Sequence, residues 1–128
     1  ARDPFEESTG LYSVAWPITV PGATLNVTTN GTAPARLVVR LTAVGNIVNP
    51  SISDGTRSIA YSGTLSPGDA IAFDGALGAV LLNGEDVLPY VSGTFPSIDP
   101  AGTTLMYEDD AASSHHADVT VEYRDRWW

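Results

Sequence analysis

Apolar and polar residues alternate with a period of two along this chain, and that pattern constrains its fold more than any other feature. In Ala35–Ala43 the odd positions are all apolar, whereas Arg36, Arg40 and Thr42 occupy even positions. Residues 118–124 repeat the alternation near the C-terminus. Because successive side chains of a strand point to opposite faces, both segments predict strands with one buried face and one solvated face.

Shorter apolar runs of the same kind accompany these two segments, and turn sequences separate them. The runs are centred on Leu25 and Val27, residues 47–52, Ile59 and Tyr61, Ile71 and Phe73, Val80 and Leu82, and Leu105 and Tyr107. The turns contain Asn-Gly, Asp-Gly or Pro-Gly pairs, which supply the positive or fixed φ of tight turns. Windows long enough for a helix are interrupted by Gly or Pro, or are filled with Thr and Val. The chain is therefore predicted to be all-β, an antiparallel two-sheet β-sandwich.

One proline affects the expected sheet arrangement. Pro50 interrupts the apolar run of residues 47–52, which predicts an edge strand or a bulge there, because the nitrogen of proline has no hydrogen to donate to a neighbouring strand.

The pattern as a whole assigns residues 1–10 to a linker and residues 11–128 to a single sandwich domain.

The charge balance excludes several kinds of partner. Among 128 residues there are 15 acids and six bases, which gives a formal net charge of −9, and all six bases are arginines. A chain without a basic stripe is a poor ligand for nucleic acid or for an anionic membrane surface. No apolar run approaches the roughly 20 residues that span a bilayer. The absence of cysteine removes disulfides and thiolate metal sites, and no cofactor is expected.

A dense polar cluster at residues 108–116 holds both histidines of the chain. A catalytic interpretation would use Ser113 or Ser114 as nucleophile, a histidine as base and an aspartate as orienter. Adjacent residues rarely form that geometry, and no Gly-x-Ser-x-Gly elbow is present. The cluster also lacks the residue spacing of an EF-hand loop or a helical zinc site. We expect a polar loop between two strands, without catalytic residues or metal ligands, in a protein that is not an enzyme.

Aromatic residues are the candidates for binding, because exposed rings stack on sugars and anchor protein interfaces. Trp16, Tyr90 and Phe95 are candidate carbohydrate contacts, although Trp16 also suits packing beneath the sandwich. Tyr90 and Phe95 fall in a stretch at residues 89–100 that is long enough to be a functional loop. At the C-terminal strand the expected protein contacts are Arg124, Arg126, Trp127 and Trp128.

Seven short segments carry a resemblance to a known family when they are taken in order. They are Ala-Arg-Asp-Pro (1–4), Thr-Thr-Asn-Gly-Thr-Ala-Pro-Ala (28–35), Val-Asn-Pro-Ser-Ile (48–52), Tyr-Ser-Gly-Thr-Leu-Ser-Pro-Gly-Asp (61–69), Val-Leu-Leu-Asn-Gly (80–84), Pro-Ala-Gly-Thr-Thr-Leu (100–105) and Val-Thr-Val-Glu-Tyr-Arg-Asp-Arg-Trp-Trp (119–128). Each segment alone has low specificity, but their order and spacing extend over nearly the whole chain. Together they resemble the C-terminal domain of distal tail proteins and related minor tail proteins of long-tailed phages.

The resemblance implies a galectin-like β-sandwich on the outside of the tail tip or baseplate of a virion that is assembled in the host cytoplasm. It implies the other tail proteins, of the tube and of the tip or hub, as partners in a homo-oligomeric ring. In that family an N-terminal belt domain builds the ring and precedes the Ala-Arg-Asp-Pro junction, at which the present sequence begins. The His-x-Asn-x-Arg and Trp-Gly-x-Glu motifs with which galectins hold a galactoside are absent, so their sugar site does not carry over.

Three hypotheses of function are consistent with these features. The first is a structural, non-enzymatic component of a phage tail tip that mediates assembly and contributes to host attachment. The second is a carbohydrate-binding module that attaches to host cell-wall polysaccharide. The third takes the acidic, lysine-free composition as an adaptation to high salt, although a GC-rich genome would deplete lysine equally.

Overall fold

The computed structural model describes residues 7–29 and 31–126, and nearly all regular structure in this part of the chain is β-strand. The strands are β1 (Glu7–Ile18), β2 (Thr24–Val27), β3 (Ala35–Ala43), β4 (Ile47–Val48), β5 (Ser51–Ser53), β6 (Ser58–Tyr61), β7 (Thr64–Leu65), β8 (Ala70–Asp74), β9 (Ala79–Leu82), β10 (Glu85–Asp86), β11 (Val91–Gly93), β12 (Ser97–Ile98), β13 (Thr103–Glu108) and β14 (Ala117–Arg126). One 3-10 turn, Leu88–Tyr90, lies between β10 and β11. The prediction of an all-β fold is confirmed.

Two antiparallel sheets pack on each other as a sandwich. The larger sheet has the strand order β1-β14-β3-β8-β9-β10, and β12 pairs with the beginning of β3. The smaller sheet has the order β11-β6-β5-β13-β2, and β4 and β7 form a separate two-stranded ladder. Sequence neighbours are often not sheet neighbours, since β14 lies between β1 and β3.

The hydrophobic core lies between the two sheets. In β3 the odd positions point into it, and Leu37, Val39 and Leu41 are each at most 2% exposed. On the adjacent strand β14, Val121 pairs with Val39 and is also buried. The smaller sheet closes the core from the other side with Val27, Ile52, Ile59, Leu105 and Tyr107. The alternation in the sequence therefore identified the inner face of the larger sheet correctly.

The N-terminal strand differs from the sequence prediction. β1 begins at Glu7, so it includes residues 7–10 that the sequence pattern assigned to a linker. It pairs with β14 and has a register irregularity between Glu7 and Leu11. Among the described residues β1 has a neighbouring strand on one side only, which explains how a strand can contain Pro17. The strand therefore runs through the expected boundary at residue 10.

The run at residues 47–52 is not the single edge strand or bulge that Pro50 suggested. β4 ends at Val48, Asn49 has a positive φ of 51°, and β5 begins at Ser51 in a different sheet. β5 lies between β6 and β13, so it is an interior strand. The Pro50 carbonyl accepts a hydrogen bond from the backbone N–H of Tyr61 at 3.0 Å. Proline thus breaks the ladder where the chain passes from one sheet to another.

A glycine fixes the position of β11 against β6. Gly93 has a φ of 95°, and a Cβ atom at this position would lie 2.0 Å from the carbonyl oxygen of Ser58. The backbone N–H of Thr94 donates to that same oxygen at 2.9 Å. Only a residue without a side chain allows this approach of the two strands. The close contact holds the segment that carries Tyr90 at the edge of the smaller sheet.

Candidate functional site

The polar loop between β13 and β14 is organised around a buried carboxylate. The Asp109 side chain is 0% exposed, and its Oδ2 accepts a hydrogen bond from the Tyr107 hydroxyl at 2.8 Å. Its Oδ1 lies 2.5 Å from Nδ1 of His115. Burial raises the pKa of the Tyr107 hydroxyl well above its ordinary value, and the hydrogen bond and charge of Asp109 raise it further. Tyr107 is therefore a permanent donor to Asp109.

The serines of this loop bind backbone groups. The hydroxyl of Ser113 donates to the carbonyl oxygen of Asn46 at 3.3 Å and accepts from the backbone N–H of His115 at 3.2 Å. The hydroxyl of Ser114 accepts from the backbone N–H of His116. The catalytic interpretation requires a serine hydroxyl on a histidine ring, and the hydrogen bonds of the described loop do not include that pair. These contacts anchor the loop to the connection between β3 and β4.

The same loop was also the candidate for a metal site. The described residues contain no group of three or more His, Cys, Asp and Glu side chains that could hold a metal ion. Asp109 and His115 contact each other, but the third group beside them is the Tyr107 hydroxyl.

In the part of the chain that the structure covers, no helix has the length and apolar character needed to cross a membrane.

A shallow depression of about 230 Å³ on the outer face of the larger sheet gathers several arginines. Its lining consists of Arg36, Val38 and Arg40 from β3, Glu122, Tyr123 and Arg124 from β14, and Ala76 from the turn after β8. The polar members share one face because they occupy even positions of two neighbouring strands whose odd positions fill the core. We call this feature the arginine depression.

The described lining of the arginine depression contains more basic than acidic side chains. Three guanidinium groups and one carboxylate line it, and the Nε of Arg40 contacts Oε1 of Glu122 at 2.5 Å. The register of β3 with β14 ends at Leu37 and Tyr123, and Arg36 and Arg124 are the next residue on each strand. This corner of the sheet therefore gathers three of the six arginines of the chain.

A second depression, of about 290 Å³, adjoins the first. Its lining consists of Arg40, Thr42, Ala70, Ile71, Ala72, Leu81, Asn83 and Gly84. Ala72 pairs in register with Arg40 on one side and with Leu81 on the other, so the small side chains form a floor across β8 and β9. Because Arg40 borders both depressions, this apolar floor adjoins the arginine depression. We call the second feature the apolar depression.

The three aromatic residues predicted as carbohydrate contacts occupy different environments. Trp16 is 5% exposed and belongs to the core, so a sugar has no access to its ring, and its assignment as a carbohydrate contact is withdrawn. Phe95 is half-buried and packs against the core. Tyr90 is 61% exposed in the 3-10 turn, where its carbonyl accepts from the Ser62 backbone N–H at 2.8 Å. Tyr90 is thus the one candidate of the three with most of its surface open to solvent.

The stretch at residues 89–100, predicted as a loop, contains regular structure. It holds β11 and β12, and β12 pairs with the beginning of β3 in the larger sheet. β11 pairs with β6 in the smaller sheet. The stretch therefore crosses from one sheet to the other.

The residues predicted to make protein contacts lie on or beyond β14. Arg124 lines the arginine depression. Arg126 is the last residue of β14, and Trp127 and Trp128 lie outside the described residues.

The sequence analysis missed the grouping of Arg36 and Arg40 with Arg124. Even positions on β3 already indicated a common outer face for the first two residues. To bring Arg124 beside them requires the pairing of β3 with β14, which the alternation of either segment does not encode. The alternation of each strand shows which arginines lie on its outer face, but the register between the two strands decides that they lie together.

The fold and these surfaces define an acidic β-sandwich domain in which the described polar loop is packed and the described outer sheet face carries a depression lined by arginines. Residues 30–127 match the family described as the siphovirus-type tail component, C-terminal domain. Because the match extends over most of the chain, the chain belongs to this family. It is therefore a phage tail component, in agreement with the resemblance that the sequence motifs carried.

The fold is similar to that of the Dit protein of phage SPP1, whose structure is described as a paradigm of the hub adsorption apparatus in phages that infect Gram-positive bacteria. The TM-score is 0.72 at 12% sequence identity, and the similarity covers 93% of this chain and 48% of the Dit chain. The chain thus spans about half the length of that relative, and the similarity concerns the fold. No curated protein matches the chain significantly.

Proposed function

We propose that this chain is the sandwich of a distal tail protein and helps to build the tip of the tail without catalysing a reaction. The family match over residues 30–127 carries this proposal. A building role also agrees with the loop around Asp109, whose polar groups are used in contacts within the domain. Catalytic groups, in contrast, must present reactive atoms to a substrate.

The proposed partners are the other proteins of the tail, those of the tube and of the tip or hub, in a homo-oligomeric ring. The SPP1 relative is described as part of a hub adsorption apparatus, and we extend that placement to this chain. The resemblance to distal tail proteins supports the ring. Arg124, Arg126, Trp127 and Trp128 at the C-terminal strand remain the proposed protein contacts.

Electron cryo-microscopy of the virions that carry this chain tests the proposal. We expect several copies of the sandwich around the tail axis at the distal end, each in contact with another tail protein. Peptide mass spectrometry of the same purified particles controls for the presence of the chain. Particles that lack the chain, or that carry it away from the tail, would contradict the proposal.

Host attachment through a glycan is a second candidate, and the exposed ring of Tyr90 favours it. Such a ring can stack on the face of a pyranose. An array of host wall polysaccharides, probed with the wild-type chain and with Tyr90→Ala, measures this activity. Binding that the substitution does not weaken, or no binding at all, would remove Tyr90 from consideration.

A further inference from the structure

We propose that Asn83 is a modification site at which the chain deamidates spontaneously, and that two hydrogen bonds of its side chain restrain this reaction in the folded state. The site lies in the turn between β9 and β10, which the proposed function does not use. The reaction consumes only water, so this inference goes beyond the proposed function and needs no partner from the tail.

The reactive pair is Asn83 followed by Gly84. The backbone nitrogen of Gly84 attacks Cγ of Asn83, a bond from nitrogen to Cγ forms, and the side-chain amide leaves as ammonia with the proton that the nitrogen gives up. The cyclic imide then takes up water, and its ring opens to an aspartate or an isoaspartate. Glycine favours the attack because it has no side chain beside its nitrogen.

The nitrogen of Gly84 is accessible for this attack. Gly84 is exposed and has a φ of 86°, and a Cβ atom placed there would meet no other part of the described chain within 4 Å. The backbone hydrogen bonds of the described turns do not use its N–H group. The attacking group is therefore open, and any restraint must act on the side chain of Asn83.

The side-chain amide of Asn83 is held at both ends. Its Oδ1 accepts from the backbone N–H of Ala70 at 2.9 Å, and its Nδ2 donates to Oδ1 of Asp69 at 3.1 Å. We call these two bonds the Asn83 bridge. To close the imide ring, the side chain must turn until Cγ meets the nitrogen of Gly84, and the amide then leaves both partners. The Asn83 bridge therefore opposes the reaction.

The Asn83 bridge also joins two turns, so deamidation would change the structure. Asp69 closes the turn between β7 and β8, where its Oδ2 accepts from the backbone N–H of Ser66 at 2.9 Å. An aspartate in place of Asn83 would present a second carboxylate to Asp69 where a donor now stands, and like charges at this distance repel. Deamidation would thus separate the two turns at the apolar depression, which Asn83 and Gly84 line.

Peptide mass spectrometry of the aged chain tests the restraint. The full chain is incubated at mildly alkaline pH, either folded in buffer or unfolded in guanidinium chloride. The fraction of aspartate and isoaspartate at position 83 is followed over time. We expect the folded chain to react about tenfold more slowly than the unfolded chain, the factor that one hydrogen bond of ordinary strength supplies.

A carboxylate variant tests whether the Asn83 bridge is the cause. Asp69→Ala removes one of its two bonds and should raise the rate in the folded chain by about three- to tenfold. Asp99→Ala is the matched control, because Asp99 also accepts from a backbone N–H in an exposed turn, that of Ala101. Its rate should stay at the wild-type value, which separates loss of the bridge from a general loss of stability.

A second pair of variants tests the structural effect of the modification. Asn83→Asp imitates one product of the reaction and should lower the melting temperature by about 3–6 °C. Asn46→Asp adds the same charge at an exposed position whose side chain makes no hydrogen bond among the described residues. That control should shift the melting temperature by less than about 2 °C.

Each measurement has a result that would overturn the inference. No aspartate or isoaspartate at position 83 in the unfolded chain would remove the modification site. Equal rates in the folded and unfolded chains, no acceleration by Asp69→Ala, or equal acceleration by Asp99→Ala would show that the Asn83 bridge is not the restraint. Equal melting temperatures of Asn83→Asp and Asn46→Asp would show that the modified turns stay joined. None of these results depends on where the chain lies in a virion.

Discussion

Among the described acids, Asp109 has a side chain without exposed surface, an environment that a carboxylate does not favour. A carboxylate without exposed surface loses its hydration, and such a group is tolerated only where hydrogen bonds replace the lost water. Here the Tyr107 hydroxyl and the His115 ring supply those contacts. The three residues tie the end of β13 to the far side of the following loop. These three side chains therefore fix the shape of the loop, which its polar composition alone would not do.

Removing one hydroxyl should measure what this contact contributes. We expect Tyr107→Phe to lower the free energy of unfolding by about 1–3 kcal/mol, because the buried carboxylate of Asp109 then lacks one of its donors. Urea unfolding followed by fluorescence measures the change. Tyr90→Phe removes a hydroxyl from an exposed ring and should change stability by less than about 0.5 kcal/mol. Equal effects of the two substitutions would show that the Asp109 contact is not stabilising.

The sequence located this loop but not its internal contacts. Residues 108–116 indicated a polar connection between two strands, and in the structure this connection lies between β13 and β14. Tyr107 has the position and character of an ordinary core residue, since it alternates with Leu105 on β13. Its hydroxyl donates to Asp109, two residues along the chain, where β13 and its alternation have ended. The contacts are local in the sequence, but the alternation of apolar residues does not encode which polar side chains of a loop meet.

At the scale of elements, prediction succeeded where one face of a strand is uniformly apolar. β3 has the predicted bounds because its odd positions are apolar and its even positions are polar around Val38. β1 has a comparable alternation, but Ala15 and Pro17 interrupt its polar face, and the sequence analysis predicted no strand there. The strands on either side of Pro50 were joined into one run, because periodicity does not reveal that a chain has changed sheet. Sheet order is likewise absent from local patterns.

The turn between β5 and β6 shows how one side chain joins the two sheets. Asp54 Oδ1 accepts from the backbone N–H of Thr56 at 2.8 Å and of Arg57 at 2.7 Å. Its Oδ2 accepts from the backbone N–H of Ser97 in β12, which belongs to the larger sheet. Burial alone would raise the pKa of Asp54, but these three N–H groups and the charge of Arg57 outweigh it, so the pKa lies below its ordinary value.

This turn predicts a pH dependence with a definite sign. Because the pKa of Asp54 is lower in the folded chain, its carboxylate stabilises the fold above the ordinary pKa, and that stability is lost as the pH falls through the folded pKa. Asp54→Asn should therefore cost about 1–2 kcal/mol near neutral pH and progressively less below about pH 4. Urea unfolding of both chains across this range measures the difference.

The matched control for the pH experiment is Asp118→Asn, because Asp118 is exposed on the outer face of β14. This substitution removes the same charge without removing a bridge between sheets. Its effect on the free energy of unfolding should stay small throughout the pH range. A difference between wild type and Asp54→Asn that does not change with pH would show that the charge of Asp54 is not the source of the stabilisation.

At the scale of the whole molecule, the net charge of −9 is unevenly distributed. The arginine depression holds three of the six positive charges, so the remaining surface is more acidic than the total suggests. Among the described residues, Arg40–Glu122 and Arg57–Asp54 lie within salt-bridge distance, and the ring of His115 contacts Asp109. With 15 acids against six bases in the chain, we expect repulsion between carboxylates to outweigh attraction over most of the surface.

Added salt should stabilise this chain. Screening shortens the range of charge interactions to about 10 Å at 0.1 M and about 3 Å at 1 M, which weakens the repulsion more than the few close pairs. We expect the melting temperature in sodium chloride to rise by about 2–5 °C from low salt to molar salt, equivalent to about 1 kcal/mol. Differential scanning calorimetry measures this shift. A falling melting temperature would contradict the dominance of repulsion and would also argue against adaptation to high salt.

A charge-neutralised variant separates screening from other effects of salt on folding. Glu85→Gln combined with Asp118→Asn removes two exposed acids and leaves a net charge of −9 + 2 = −7. If repulsion is the cause, this variant melts higher than wild type at low salt and gains less from added salt. Parallel salt curves for the two chains would instead assign the stabilisation to preferential exclusion of salt, which acts on apolar surface regardless of charge. The comparison thus decides whether the acidity of this tail domain is a cost to its fold that the ionic environment offsets.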